Sequence, residues 1–399
     1  MAGHVPRLSE SVVIRSLRRL RDRYFPESRP VTAAVDTEQQ DSHLGFLESL
    51  PVDLQFLVMT FLSPADLCLL GATCHYWRRM VRDPLLWRFF LLRDLPFWNS
   101  IDHLSMPQLE LLHAPLIDEK QSLDDREEGV DTEPKVDYMA EYLRGSPSCR
   151  QQWLPSVAPY KVVTSFLQSL VVSAEPRYAM FGPGMEQLDM SFVMRLMHSP
   201  DVLPVSGSGP PRRQIDGIGS GISYMFNNQH SFNILTLYST NRAERERART
   251  QHQNVDNKLF TVEVDNSGVT TYSPTPHVQR VCQVVDGFIY VANAERGGVG
   301  CFLNEPAQIQ ALLSSSWGST SRPMLVLSCV SREDRGPEVQ PGVNTTTNRV
   351  PCVYMAKRLE LTTLDNPWMV QDVVVESLSG LLDGISWLLR CSGVKLHNR

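Results

Sequence analysis

The sequence predicts an α+β multidomain chain: an all-α module first, then an α/β domain with a mainly parallel sheet. Three observations carry this. Residues 50–87 hold short apolar runs at helical spacing, two of them opened by a cap residue and a proline. Beyond about residue 160, continuous apolar runs such as FNILTLY, GFIYVA and PMLVLSCV alternate with helical patterns, which is the pattern of strands buried on both faces. Between the two, residues 118–135 (DEKQSLDDREEGVDTEPK) are acidic and almost devoid of apolar groups, as in a disordered loop.

A length of 399 residues suits two or three domains. The boundaries drawn from composition are 1–43 (amphipathic helix and linker), 44–95 (helical module), 96–160 (helical linker with the acidic loop) and 161–399 (α/β domain). A net charge of −6 lacks the basic footprint of a nucleic-acid binder. No apolar run approaches the ~20 residues of a membrane span, and the start lacks a signal-peptide core. The eight cysteines are scattered with no C-x-x-C pair, which points to a reduced, cytoplasmic or nuclear protein without zinc or disulfides. No cofactor is expected, and the sequon at Asn344 is expected to be inert without secretion.

In chain order, residues 8–25 form an amphipathic helix, with Leu8, Val12, Leu17, Leu20 and Tyr24 opposite five arginines. It suits a partner helix, a second copy of the chain or an anionic surface; a plain solvated helix is the alternative. Residues 26–43 are a polar linker. In the module, Leu50-Pro51 opens a helix carrying Leu54, Leu57, Val58, Phe61 and Leu62. Ser63, Pro64 and Asp66 restart the chain as cap, first residue and dipole partner. Thr73 caps a third helix, and Asp83-Pro84 opens a fourth. A module this small cannot bury all these side chains against itself. Either they meet a partner or the module docks on the rest of the chain. Residues 96–117 are short helical pieces broken by Pro96, Pro107 and Pro115, and residues 138–143 are a helical turn.

In the α/β domain, helical patterns cover residues 162–172, 188–197, 243–257, 278–284 and 306–314. Strands are expected at 177–181, 222–226, 232–238, 287–292, 323–330 and 351–361. A closing helix is expected over 369–389, with Val374, Leu378, Leu381, Ile385 and Leu388 on one face. Residues 199–213 and 331–349 are polar loops. His198, His230 and His277 stand in loops with no nucleophile at motif spacing, and Trp317, Trp368 and Trp387 are core or rim residues.

The run Leu50-Pro51, Asp53-Leu54, Leu57, Phe61-Leu62, Ser63-Pro64, Asp66-Leu67, Leu70, Cys74, Trp77-Arg78, Asp83-Pro84 and Leu86-Trp87 resembles an F-box. The resemblance implies a helical module that binds the Skp adaptor of a cullin–RING ubiquitin ligase. It assigns that contact to Leu50, Pro51, Leu54, Leu57, Leu62, Leu67 and Trp77, inserted as helix into groove.

The turn FGPGMEQLDMS follows a strand and precedes a helix, so it invites comparison with the phosphate loop G-x-x-x-x-G-K-[ST]. With Gly182 as the first glycine, Gln187 falls at the second, Leu188 at the lysine and Asp189 at the hydroxyl position. The turn is kept and the charge is lost, so phosphate binding is not expected. Where a GTPase carries N-K-x-D to read a guanine, this chain has Ser328, Cys329, Val330 and Ser331, which offer the base no carboxylate, and Gly297, Gly298 and Gly300 precede no K-[ST]. With segments such as FGPG, QIDGIGSG and VVDGFIYVANAE, the chain resembles F-box proteins that carry an atypical small-GTPase-like (P-loop-type) domain lacking nucleotide motifs. That resemblance implies a non-catalytic substrate receptor, with telomeric repeat-binding factor and D-type cyclin as substrates. A nucleotide-dependent switch and a ligase-independent scaffold are the alternatives. A frame of this type would leave two outer edges, the strand over 222–226 and the strand over 351–361, and Cys352, Tyr354, Ala356 and Arg358 on one face of the latter would grip substrate by strand addition. Protection of an edge by Lys357 and Arg358 is the competing role.

Overall fold

The computed structural model describes residues 47, 49–113, 136–150, 175–206, 213–215, 219–238, 258–264, 270–295, 304–314, 322–333 and 349–396. The helix expected over 8–25, the linker 26–43, the acidic loop, the helices over 162–172 and 243–257, the turn at 297–300, Trp317 and the sequon lie outside these residues. The chain divides into two compact units: residues 1–94 with 107–143, and residues 95–106 with 144–399.

The first unit is helical. Helix α1 (Val52–Phe61) starts after Pro51, whose extended backbone (ψ 140°) makes it the cap; its carbonyl accepts from Leu54 and Gln55 N–H. Buried Gln55 ties this end down, donating to Leu50 O at 2.9 Å and accepting from Tyr76 Oη at 2.5 Å. Helix α2 (Pro64–Thr73) is capped by Ser63, whose Oγ accepts from Asp66 N–H at 3.1 Å. Helix α3 (His75–Val81) is capped by extended Cys74; Thr73, expected there, ends α2 and returns its hydroxyl to Leu70 O. Helix α4 (Pro84–Asp94) opens as expected, with Asp83 Oδ1 accepting from Leu85 N–H at 2.8 Å. Phe56, Met59, Leu67, Trp77, Met80, Leu86, Trp87 and Phe90 form the core, and Trp87 Nε1 donates to Val81 O. Two more helices lie among the described residues of this unit. Leu112 O in α5 (Leu109–His113) accepts two bonds from the Arg88 guanidinium, and Tyr142 in α6 (Tyr138–Gly145) packs on Trp87 and donates to Asp94.

The second unit is a mixed α/β fold on an eight-stranded sheet. Its strands are β1 (Ser100–Asp102), β2 (Arg177–Phe181), β3 (Arg213–Ile215), β4 (Gly219–Phe226), β5 (His230–Leu237), β8 (Gly287–Asn293), β9 (Met324–Val330) and β10 (Trp368–Val374). Strands β6 (Phe260–Val264) and β7 (Thr270–Pro274) make a separate ribbon. The sheet order is β1-β10-β9-β8-β2-β5-β4-β3, parallel from β10 to β5 and antiparallel at both margins. Strand β9 is buried at every position, as its unbroken apolar run requires. The β4–β5 hairpin turns on Asn227 and Asn228, with φ of 49° and 56°, the left-handed pair that matches strand twist.

Alternation along the strands makes two packed faces. Met180, Ile234, Ile289, Leu325, Leu327 and Val373 join α9 (Phe192–Met197) and α13 (Leu381–Cys391) in one core cluster. The intervening residues, among them Phe288, Tyr290, Val326 and Val370, are buried too. Helices α10 (Pro276–Val284) and α11 (Glu305–Leu313) bury Val278, Cys282, Ile309 and Leu312.

His230 opens β5 and His277 lies in α10, so neither stands in the loop expected for it. Two larger expectations are also corrected. Residues 351–361 are not a strand: Cys352–Arg358 is a helix, α12, followed by a short 3-10 turn, Leu361–Thr363. Cys352, Val353, Met355, Ala356 and Leu359 are all buried, which is helical spacing, whereas a strand would bury alternate residues. Nor is 369–389 one helix. Its first part is β10, and the helix begins only at Leu381, after Leu378 and Gly380 turn the chain with positive φ. Strand β1 falls where short helical pieces are expected from the sequence. Its three pairs on β10 are braced by Arg150, in α7 (Pro147–Arg150), which donates to Ser100 and Ser105 Oγ and faces Asp102 at 3.4 Å.

Proline at position 356 would break a buried helix, not an edge strand. Ala356→Pro should therefore lower the unfolding free energy of this unit by ~3 kcal/mol or more, read by urea denaturation.

Candidate functional site

In a ten-residue helix only one face can turn inward. On α1 that face is Val52, Gln55, Phe56 and Met59. Leu54, Val58 and Phe61, spaced four and three apart, form a second apolar stripe on the outside. Phe61 is 83% exposed and Leu54 45%, and Leu69 on α2 is 68% exposed. Polar bonds hold the ends of the stripe: Gln55 at the start, and Arg93 at the finish, donating to Thr60 O at 3.0 Å. Arg93 is in turn steadied by Asp94 and by the Phe90 ring beneath it.

Of the residues assigned to adaptor contact, Pro51 and Leu54 are exposed, while Leu50, Leu57 and Leu62 are half-buried. Leu67 and Trp77 are corrected: they are core residues. Leu67 is completely buried, and such burial is worth ~1.5–3 kcal/mol to the fold. Val58, Phe61 and Leu69, outside that set, are exposed. The signal was present in α1, where apolar residues occupy more than one face, but their order could not say which face the other helices would cover.

The glycine turn lies in the second unit. Gly182 has φ of +126°, and a Cβ there would lie 2.5 Å from Val291 O; one on Gly184 would lie 2.8 Å from Ala292 O. Both glycines thus let the turn press against the backbone of β8. This is the place between β2 and β8 where the chain's crossovers reverse direction, a usual ligand crevice in open sheets. The one-turn helix α8 (Gly184–Gln187) follows. Leu188 is buried in the core, Gln187 is half-buried and Asp189 is exposed. No side chain from Gly182 to Asp189 carries positive charge.

The four residues assigned to a gripping strand sit on α12 instead. Cys352 and Ala356 are fully buried, and the Cys352 thiol donates to Trp98 O. Tyr354 points outward, while Arg358 turns in to bond Asn293 O and Glu305, the latter at 3.2 Å. Burial raises the Glu305 carboxyl above its ordinary range, and Arg358 opposes this. Before the helix, Arg349 bonds Ser328 O and Val373 O and faces Asp372 at 3.7 Å. Burial pushes Asp372 up to about 6, against the opposing pull of Arg349. These charged pairs fix α12 on the sheet and leave it no free strand edge.

Among the described residues no cluster of His, Cys, Asp and Glu is placed to hold a metal, and no helix is long and apolar enough to cross a membrane.

Comparison with known proteins gives a consistent result. Residues 47–93 match the F-box-like family. The chain is 48% identical to F-box only protein 4 of Mus musculus over 368 residues, which is 92% of this chain and 89% of the mouse protein. It is 47% identical to the Bos taurus protein of the same name, over 89% of this chain and 86% of the other. For the Homo sapiens protein the figures are 46%, 90% and 87%.

Two measurements check the reading of the site. Leu67→Ala should cost ~2–5 kcal/mol of stability whereas Phe61→Ala should change it by less than ~0.5 kcal/mol, both by chemical denaturation. Asp372 takes up its proton near pH 6 in the fold but near 3.8 when unfolded. The folded state therefore binds the extra proton in that window, and this group's contribution to stability falls as pH rises through it. Asp372→Asn should flatten the pH dependence there by on the order of 3 kcal/mol, measured by urea titrations at several pH values.

Proposed function

The chain belongs to the F-box only protein 4 family, and on that premise we propose that it is the substrate-recognition subunit of a Skp–cullin–F-box ubiquitin ligase. The observation that carries this is the outward stripe Leu54, Val58 and Phe61 within the stretch that matches an F-box. A capped, internally packed helix that keeps three large apolar side chains in water is suited to a groove on the Skp adaptor. Cullin and RING subunits would follow through the adaptor, and ubiquitin transfer would take place on them. This chain would contribute proximity: a substrate held here experiences a high effective concentration of the charged conjugating enzyme.

The α/β unit is the substrate receptor in this reading. Its strand order β4-β5-β2-β8-β9-β10, with β4 antiparallel, supports a small-GTPase-like frame. The uncharged turn at Gly182, packed on β8, supports a frame used as a scaffold and not as a nucleotide switch. Strand addition remains the proposed mode of capture, but at a different margin. Strand β10 is covered by β1, whereas β3 is outermost among the described residues. Telomeric repeat-binding factor and D-type cyclin are the substrates to test first, and the basic N-terminal segment is the place to look for a homodimer contact.

The decisive experiment is affinity purification read by mass spectrometry. The double variant Leu54→Asp, Phe61→Asp should lose Skp adaptor and cullin, with binding weakened by about 100-fold or more, yet keep its fold and its substrates. Gln214→Pro, in β3, should do the reverse. If adaptor binding survives the first variant, the stripe is not the docking surface.

A further inference from the structure

We propose that Ser63 is a phosphorylation site for a proline-directed kinase, and that its modification detaches the chain from the Skp adaptor. This rests on the adaptor reading above and assigns a control to the same surface. Ser–Pro and Thr–Pro steps occur among the described residues at Ser63, Ser146, Ser199, Ser273 and Thr275. Ser146 and Ser199 are buried, Ser273 lies within the β6–β7 ladder, and the Thr275 hydroxyl is buried. Ser63 alone among these five is exposed. Its backbone is extended (φ −72°, ψ 155°), the form the residue before a proline prefers and the form a kinase cleft takes.

The step is a simple transfer. The γ-phosphoryl group of ATP passes to Ser63 Oγ; the bond from the γ-phosphorus to the bridging oxygen breaks, the hydroxyl proton leaves through the kinase's base, and ADP departs. The consequence follows from what surrounds the oxygen. Ser63 Oγ now donates to Asp66 Oδ2 at 2.6 Å while accepting from Asp66 N–H. A phosphate removes that donor and sets about −1.5 to −2 of charge beside the carboxylate. Arg93, which reaches the adjoining end of α1, is already engaged by Asp94 and Thr60 O. The new charge stands two residues from Phe61 and one from Leu62, so docking of the stripe would have to strip water from it. The positive end of α2 still favours a negative group, so the module stays folded while its docking is lost.

The test uses the full chain, a recombinant proline-directed kinase with ATP, and titration calorimetry against purified Skp adaptor. Peptide mapping should place phosphate on Ser63, and Ser63→Ala should accept none at that peptide. The phosphorylated protein should bind the adaptor at least about tenfold more weakly, with an unchanged helical circular-dichroism spectrum. Absence of phosphate at Ser63, or equal binding with and without it, would overturn the proposal. Failure of the unmodified protein to bind would overturn the ligase reading itself, and this control with it.

Discussion

A short helix with apolar residues all round can satisfy only some of them inside its own domain. That constraint shapes the first unit. Helix α1 turns Phe56 and Met59 into the core and must leave Leu54, Val58 and Phe61 in water. The cost is sustained because the rest of the unit is tightly specified. Ser63 and Asp83 cap their helices, Trp87 bonds Val81 O, and Gln55 and Arg93 fix the two ends of α1. The stripe is therefore presented on a rigid element and loses little freedom on docking, which favours affinity.

The second unit meets the opposite constraint, since its central strands have no face to spare. Two charged pairs are held against the sheet, Arg349 with Asp372 and Arg358 with Glu305. Each pair sits beside α12 and draws strand carbonyls into the same bonds. One sheet margin is closed by β1, and Arg150 holds that strand in place. At the crevice between β2 and β8, Gly182 and Gly184 bring the turn against the β8 backbone with no room for a Cβ.

The places where sequence and structure part have physical causes. Strands β8 and β9 were legible because long apolar runs bounded by turn residues have few other solutions. Residues 351–361 were not. The segment PCVYMAKRLEL carries apolar groups that fit a period of two or of 3.6, and only the sheet beneath α12 selects the second. The run at 369–375 failed in the other direction, because valines at helical spacing also suit a buried strand. Strand β1 has three residues and no pattern of its own; it exists because β10 offers it a ladder.

For the site, the punctuation and spacing of residues 50–87 determined by themselves that a capped helical module would stand here with more apolar surface than it could enclose. Residue types alone likewise determined that the turn at Gly182 would carry no cation. Only the tertiary structure decided which apolar groups were surplus. Leu67 and Trp77 went to the core and Phe61 and Leu69 to the surface, because burial depends on the faces that neighbouring helices cover. No local pattern records that choice; it is made when the helices pack.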